Sequence, residues 1–309
     1  MSGDLNRAGT DDWRAGGEVE EFLTVSAPPS PDEYWRRSSL PTETLLMTEE
    51  ASAEAVQEFL RANVVPARRA EPRLAAGLAS VDKQRVESPE GTVAAWRRGD
   101  GPAVLLVHGW EDDNSLWAPL IDALGERERA LVVLDLPAHG FSEGEWGLAP
   151  QAADGILAVA GALGPIDAVV AHSFGSGGAM IAISEGLIVD RAVFIAPPLR
   201  TSNRWLRYAK RLGVSEHVAF AAQSIYEQRI GPARASFDFR AELTDLDADL
   251  LVIHSADDER AALSDSQEVL PNCRRGELVV VDGLTHRRTV RDPEVVARIV
   301  DFVTEARHQ

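Results

Sequence analysis

The chain has 309 residues, 45% of them apolar and 26% charged, the balance of a globular protein able to bury a large core in one domain or two small ones. Its formal charge of −18 opposes binding to nucleic acid or anionic lipid, which rests on cationic side chains meeting phosphate. No apolar run approaches the ~20 residues that span a bilayer, the start lacks the basic and apolar regions of a signal peptide, and the lone Cys273 excludes intrachain disulfides and multi-cysteine metal clusters, so a reducing, cytoplasmic location is expected.

Residues 1–45 form an irregular acidic arm: the first fifty residues hold eleven acids against four bases, and APPSPDEYWRRSSLP has no sustained period of 2 or 3.6. Trp13, Phe22, Tyr34 and Trp35 could anchor it. The residues leave open whether the arm wraps the domain, makes a homodimer or covers a site entrance. A helical and linking segment follows over 46–83, where Thr48 before Glu49, Glu50 and Ala51 predicts a capped helix running to about Asn63, with Ala55, Phe59 and Leu60 on one side.

From residue 84 the pattern changes. KQRVES and TVAAWRR, separated by PEG, predict an antiparallel pair. AVLLVHG (103–109), ALVVLDLP (130–137), DAVVAHS (167–173), RAVFIAPP (191–198), DLLVIHS (249–255) and ELVVVDG (277–283) are nearly continuous apolar runs, as strands buried on both faces must be. Helical patterns lie between them, at 115–125, 148–163, 174–186, within a longer insertion at 200–247, at 260–270 and at 293–306. The alternation predicts an α/β fold: a mostly parallel eight-stranded sheet with helices on both faces.

Ligands of such sheets bind at the carboxyl ends of the strands. There the chain reads HGW, DLPAHG, HSFG, APP, HSADDE and GLTHRR in turn. AHSFGSGG (171–178) is a strand entering a turn and a helix with Ser173 at the apex, and Ala171 and Gly175 leave room for a sharp reversal that exposes the hydroxyl. A serine capping the following helix would have the same pattern. A nucleophilic serine needs a base and the base an orienting acid. His286 follows the last strand, and Asp257 and Asp258 follow the seventh, giving the chain order serine, acid, histidine. Both aspartates stay open on the residues alone.

VLLVHGW, LDLPAHGFS, AHSFG, IHSADDE and GLTHRRTVRDP, in this order, resemble the α/β-hydrolase family over residues 84–309. The resemblance implies a Ser-Asp-His triad, and its acid position maps onto Asp258 rather than Asp257. It also implies an oxyanion hole from the backbone amides of Trp110 and Phe174, and places a small helical cap in the insertion at 200–247. A carboxylic ester of a small organic acyl substrate, cleaved without a cofactor or metal, is the expected reaction. Thioesterases, amidases, carbon–carbon bond hydrolases and acyltransferases can use the same triad, and a non-catalytic binding protein is the alternative of a different class.

Other motifs carry bland readings. His108 is expected to brace the HGW turn, His172 to be structural, His139 and His254 to pack loops, and His217 to lie on the surface. His108 with Asp112 and Asp113, or His254 with Asp257, lacks three converging metal ligands. GSGG at 175–178 is not a dinucleotide fingerprint, because Met180 stands where a third glycine belongs. In the insertion, Trp205, Tyr208 and Leu212 form an apolar stripe beside Arg204, Arg207 and Arg211. The stripe fits either the roof of an acyl pocket or simple packing, and the arginines either an anionic substrate or a solvated face.

Overall fold

A computed structural model describes residues 52–67, 71–199, 204–235 and 237–305. The acidic arm and Thr48 lie outside the described residues. The chain divides into two compact units, a larger one of residues 62–202 and 230–309 and a smaller one that joins residues up to Arg61 with 203–229.

The larger unit is built on one eight-stranded sheet. Its strands are β1 (Gln84–Ser88), β2 (Gly91–Arg98), β3 (Ala103–Val107), β4 (Leu131–Leu134), β5 (Ile166–His172), β6 (Arg191–Ile195), β7 (Asp249–Ser255) and β8 (Gly276–Val281), in the spatial order β1-β2-β4-β3-β5-β6-β7-β8. The first two pair antiparallel, with Val86 opposite Val93, and β2 meets β4 antiparallel; the other six strands run parallel. Strand order reverses around β3, whose neighbours are β4 and β5. A crevice opens at such a reversal, beyond the carboxyl ends of the strands.

Alternation of side chains resolves what the continuous apolar runs concealed. Leu105, Val107, Val132, Leu134, Val169 and Phe194 face one layer, with Ile156 and Val159 of α3 (Ala149–Leu163) and Ile181 of α4 (Phe174–Ser184). Leu106, Val133, Val170, Val193 and Ile253 face the other, with Leu120 and Leu124 of α2 (Ala118–Glu126) and Val296, Ile299 and Val303 of α10 (Pro293–Thr304). Asp292 starts α10 by accepting hydrogen bonds from the amides of Glu294 and Val295, ahead of Pro293 at the first helical position.

The first described helix, α1, spans Ala53–Val64, and its residues up to Arg61 belong to the smaller unit. It begins later than the Thr48 pattern suggests: Ser52 is non-helical, and its hydroxyl accepts from the amide of Ala55 at 3.2 Å. The serine caps because its side chain reaches the free amides of the first turn. Phe59 packs on Trp205 and Tyr208 of α5 (Arg204–Leu212), with ring centroids 6.3 and 6.1 Å apart, and Trp205 packs on Tyr226 of α6 (Glu216–Ile230) at 5.5 Å. The predicted stripe is therefore corrected at one end. Ala209 is buried, whereas Leu212 is 48% exposed. Arg204 lies over the ring of Trp205 and Arg211 over that of Tyr208, so both arginines lie against aromatic faces. The segment 200–247 is not one body: α7 (Pro232–Ala235) and α8 (Phe239–Asp245) belong to the larger unit, where Phe239 and Leu243 join the core.

Candidate active site

β5 ends at His172 and α4 starts at Phe174, so Ser173 alone turns the chain from strand into helix. It adopts φ 49° and ψ −122°, a conformation that costs a residue with a Cβ ~1–3 kcal/mol. The turn is held by the Ser173 amide donating to the Ile195 carbonyl at 2.8 Å and the Ser176 amide donating to the Ser173 carbonyl at 2.9 Å. A Cβ at Gly175 would stand 2.3 Å from the carbonyl oxygen of His108, which is why only glycine fits there. The Ser173 side chain does not cap α4; its Oγ lies 2.8 Å from Nε2 of His286.

His286 stands in the loop between β8 and α10 and is 6% exposed. Its Nδ1 donates to Oδ2 of Asp258 at 2.7 Å. The other carboxylate oxygen of Asp258 accepts from the amides of Arg260 and Ala261, at 2.8 and 2.9 Å. Burial alone would raise this carboxyl, but the hydrogen bond from His286 and the two amides outweigh it and hold the group at about 2. Asp257 points elsewhere. Its carboxylate accepts from the amide of Gly283 at 2.6 Å and ties the β7 end to the loop after β8. A serine, an imidazole and an ionised carboxylate in this sequence of hydrogen bonds can remove a proton from the hydroxyl as its oxygen attacks carbon.

Val107 pairs with Ala171 across β3 and β5, so the HGW turn and the serine turn leave adjacent strand ends. His108 joins the first of these to the loop after β4. Its Nδ1 donates to the Gly109 carbonyl at 2.8 Å, and its Nε2 accepts from the amide of Leu136 at 2.9 Å. The rings of Trp110 and Phe174 meet edge to face at 5.4 Å, and that of His139 lies 5.5 Å from Trp110 and 6.1 Å from Phe174. Asp135, buried after β4, binds the neighbouring turns through the amides of Asn114 and Phe141, at 2.6 and 2.9 Å. Burial nevertheless pushes its carboxyl up to about 7.

His254 and His172 brace the same loops. His254 donates through Nε2 to the Ala261 carbonyl and accepts at Nδ1 from the Ser266 hydroxyl, both at 3.0 Å, which steadies the turn carrying Asp258. His217 is exposed on α6. His172 lies closer to the site than a residue on the far side of its strand was expected to: its Nε2 donates to the His286 carbonyl at 3.2 Å, and the two rings are 4.7 Å apart. Its Nδ1 faces Gly109, where an added Cβ would come within 2.9 Å.

Burial, with the nearby charge of His286, depresses His172 to about 3. A depressed histidine lets the unfolded chain bind the proton first, so its contribution to stability is full above about pH 6.5 and is lost as pH falls toward 3. Asp135 has the opposite sign, its contribution being lost as pH rises from about 4 to about 7, but it is common to any His172 variant. Urea unfolding should therefore show the stability difference between the wild type and His172→Gln shrinking steadily as pH falls from 6.5 to 3. A difference independent of pH would contradict a neutral, buried His172.

Arg287 was not singled out in the sequence, because a base beside a histidine is too common a pattern to carry information. Its guanidinium reaches Asp112 and the Trp110 carbonyl.

Among known families, the alpha/beta hydrolase family matches residues 104–299. A pimeloyl-[acyl-carrier protein] methyl ester esterase of Xanthomonas campestris is 36% identical over 77 residues, covering 25% of this chain and 29% of that protein. The fold is shared with an esterase from Pyrococcus furiosus, at a TM-score of 0.60 and 18% identity over 78% of this chain and 97% of that one. It is also shared with an esterase from Exiguobacterium antarcticum, at 0.57 and 17% over 72% and 100%. With a match over 104–299 that contains the strands from β4 to β8 and every turn described above, the chain belongs to the alpha/beta hydrolase family.

Proposed function

We propose that this protein is a serine hydrolase that cleaves a carboxylic ester of a small organic substrate through an acyl-enzyme. The observation that carries the reading is that the Ser173 hydroxyl ignores the helix it precedes and instead meets His286, which in turn meets Asp258. In this mechanism His286 takes the proton of Ser173 as Oγ attacks the carbonyl carbon, and Asp258 holds the imidazole in the tautomer with Nε2 unprotonated. The tetrahedral oxyanion is met by the amides of Trp110 and Phe174. Phe174 is the first residue of α4, where an amide has no partner within the helix and the dipole favours negative charge. One such donor is worth ~3–4 kcal/mol of transition-state stabilisation. His286 then returns its proton to the leaving alkoxide, and water releases the acyl group by the same steps in reverse.

The three similar proteins named above are esterases, which favours an ester over a thioester, amide or carbon–carbon bond. A single cysteine, which can form no intrachain disulfide, suits a cytoplasmic, reducing setting.

A fluorophosphonate probe followed by peptide mapping, and turnover of p-nitrophenyl esters of graded chain length, test the proposal. Labelling confined to Ser173 and hydrolysis of at least the short esters are expected. No labelling and no turnover would point to a non-catalytic binding protein instead.

A further inference from the structure

Arg287 follows His286 directly, and the chemistry above does not use it. Its side chain runs across to the turn after β3, 175 positions earlier in the chain. Nε donates to the Asp112 carboxylate, at 3.1 and 3.2 Å from its two oxygens, and Nη2 donates to the Trp110 carbonyl at 3.2 Å. The Asp112 side chain is 6% exposed and that of Arg287 43%, so the carboxylate end of the contact is sheltered from water. Four residues on, Nη2 of Arg291 donates to the Ser115 carbonyl at 3.1 Å, a second tie between the same two loops.

The turn that is tied needs such support. Glu111 sits at φ 58°, a left-handed conformation that costs free energy for a residue with a side chain, and the turn's own closing bond, from the Asp112 amide to the Gly109 carbonyl, is long at 3.3 Å. The contact to the Trp110 carbonyl fixes the peptide plane that follows Trp110, and thereby limits rotation about the residue whose amide would face the oxyanion. The carbonyl of His286, in the peptide that joins it to Arg287, accepts from Nε2 of His172.

We infer that Arg287 is a positioning residue that sets the distance and orientation between the base His286 and the amide of Trp110. The inference rests on the proposed role of that amide. A planar guanidinium suits this role because it engages a carboxylate and a carbonyl at once, whereas an ammonium is a point charge. Displacement of one catalytic group by about 1 Å can cost roughly 100-fold in rate.

The test compares wild type with Arg287→Met, Arg287→Lys and Asp112→Asn, by kcat and KM for a short p-nitrophenyl ester and by the Ki of phenylboronic acid. The boronic acid accepts the Ser173 oxygen to form a tetrahedral anion, so its affinity reports on the oxyanion amides. Arg287→Met should lower kcat by roughly 10- to 100-fold and weaken phenylboronic acid by a similar factor, with KM within about twofold. Arg287→Lys should recover part of both losses, and Asp112→Asn should fall between. A merely structural role would lower Tm but leave kcat and Ki unchanged well below the transition, and that result overturns the inference. So does a raised KM at constant kcat, which would make Arg287 a substrate contact. Should Arg287→Met fail to fold, the lysine and asparagine variants decide by the same measurements. A wild type that the fluorophosphonate does not label refutes the hydrolase reading itself; a labelled, active wild type matched by Arg287→Met refutes only the positioning role.

Discussion

Ser173→Ala is expected to lower kcat by about 10^4- to 10^6-fold on any ester the wild type hydrolyses, and to abolish fluorophosphonate labelling. The fold should be unaffected. Alanine keeps the Cβ, so the φ of 49° is no more strained than in the serine, and the amide and carbonyl of residue 173 keep their bonds to Ile195 and Ser176. Only the Oγ contact to His286 disappears. Residual rate would come from the oxyanion amides acting on a water-attacked ester. The measurement is single-turnover and steady-state hydrolysis of a p-nitrophenyl ester beside a urea unfolding curve. Full activity in a normally folded Ser173→Ala protein would sink the acyl-enzyme mechanism.

Asp258→Asn should lower kcat by about 10^4-fold, while Asp257→Asn changes it by no more than a few-fold. The asymmetry follows from who donates to each oxygen. At Asp258 the amides of Arg260 and Ala261 both point at Oδ1. In the asparagine variant they demand an acceptor there and turn the carboxamide NH2 toward His286. An NH2 at that place donates to Nδ1, which drives the ring proton onto Nε2, and an Nε2 that already carries a proton cannot accept one from Ser173. Asp257 accepts only the amide of Gly283 among the described contacts, and an asparagine oxygen can do the same. Equal losses in the two variants would return the assignment of the acid to the open state in which the sequence leaves it. Because Asp258 is held at about 2, its contribution to stability is complete above about pH 4 and is lost as pH falls through 2.

The family was legible without coordinates because its marks are local. Each strand buried on both faces must be apolar along its length, and each reactive turn follows directly on its strand, so HGW, HSFG, HSADDE and GLTHRR could be placed at one edge of a sheet from their order alone. The reversal at Ser173 was equally legible, since a turn with no room for side chains leaves Ala171 and Gly175 as its trace.

Other features depend on partners far off in the chain. No periodicity within AVLLV says which residues face α3 and α4 and which face α2 and α10; only the packed layers do. The capping of α1 by Ser52 turned on where the first free amides of that helix fall. Division of the 200–247 segment turned on Phe239 and Leu243 finding the larger core. Arg287 was silent in the sequence for the same reason, as its carboxylate and carbonyl partners lie 175 and 177 residues away. By itself the sequence determined the sheet, the order of its turns and the residue types that carry chemistry, because these obey nearest-neighbour rules of burial and backbone geometry. The residues alone left two aspartates and the resemblance pointed to Asp258, the one that meets His286; only the tertiary structure decided what holds the surrounding turns, because a hydrogen bond is fixed by position in space and leaves no mark on residue spacing.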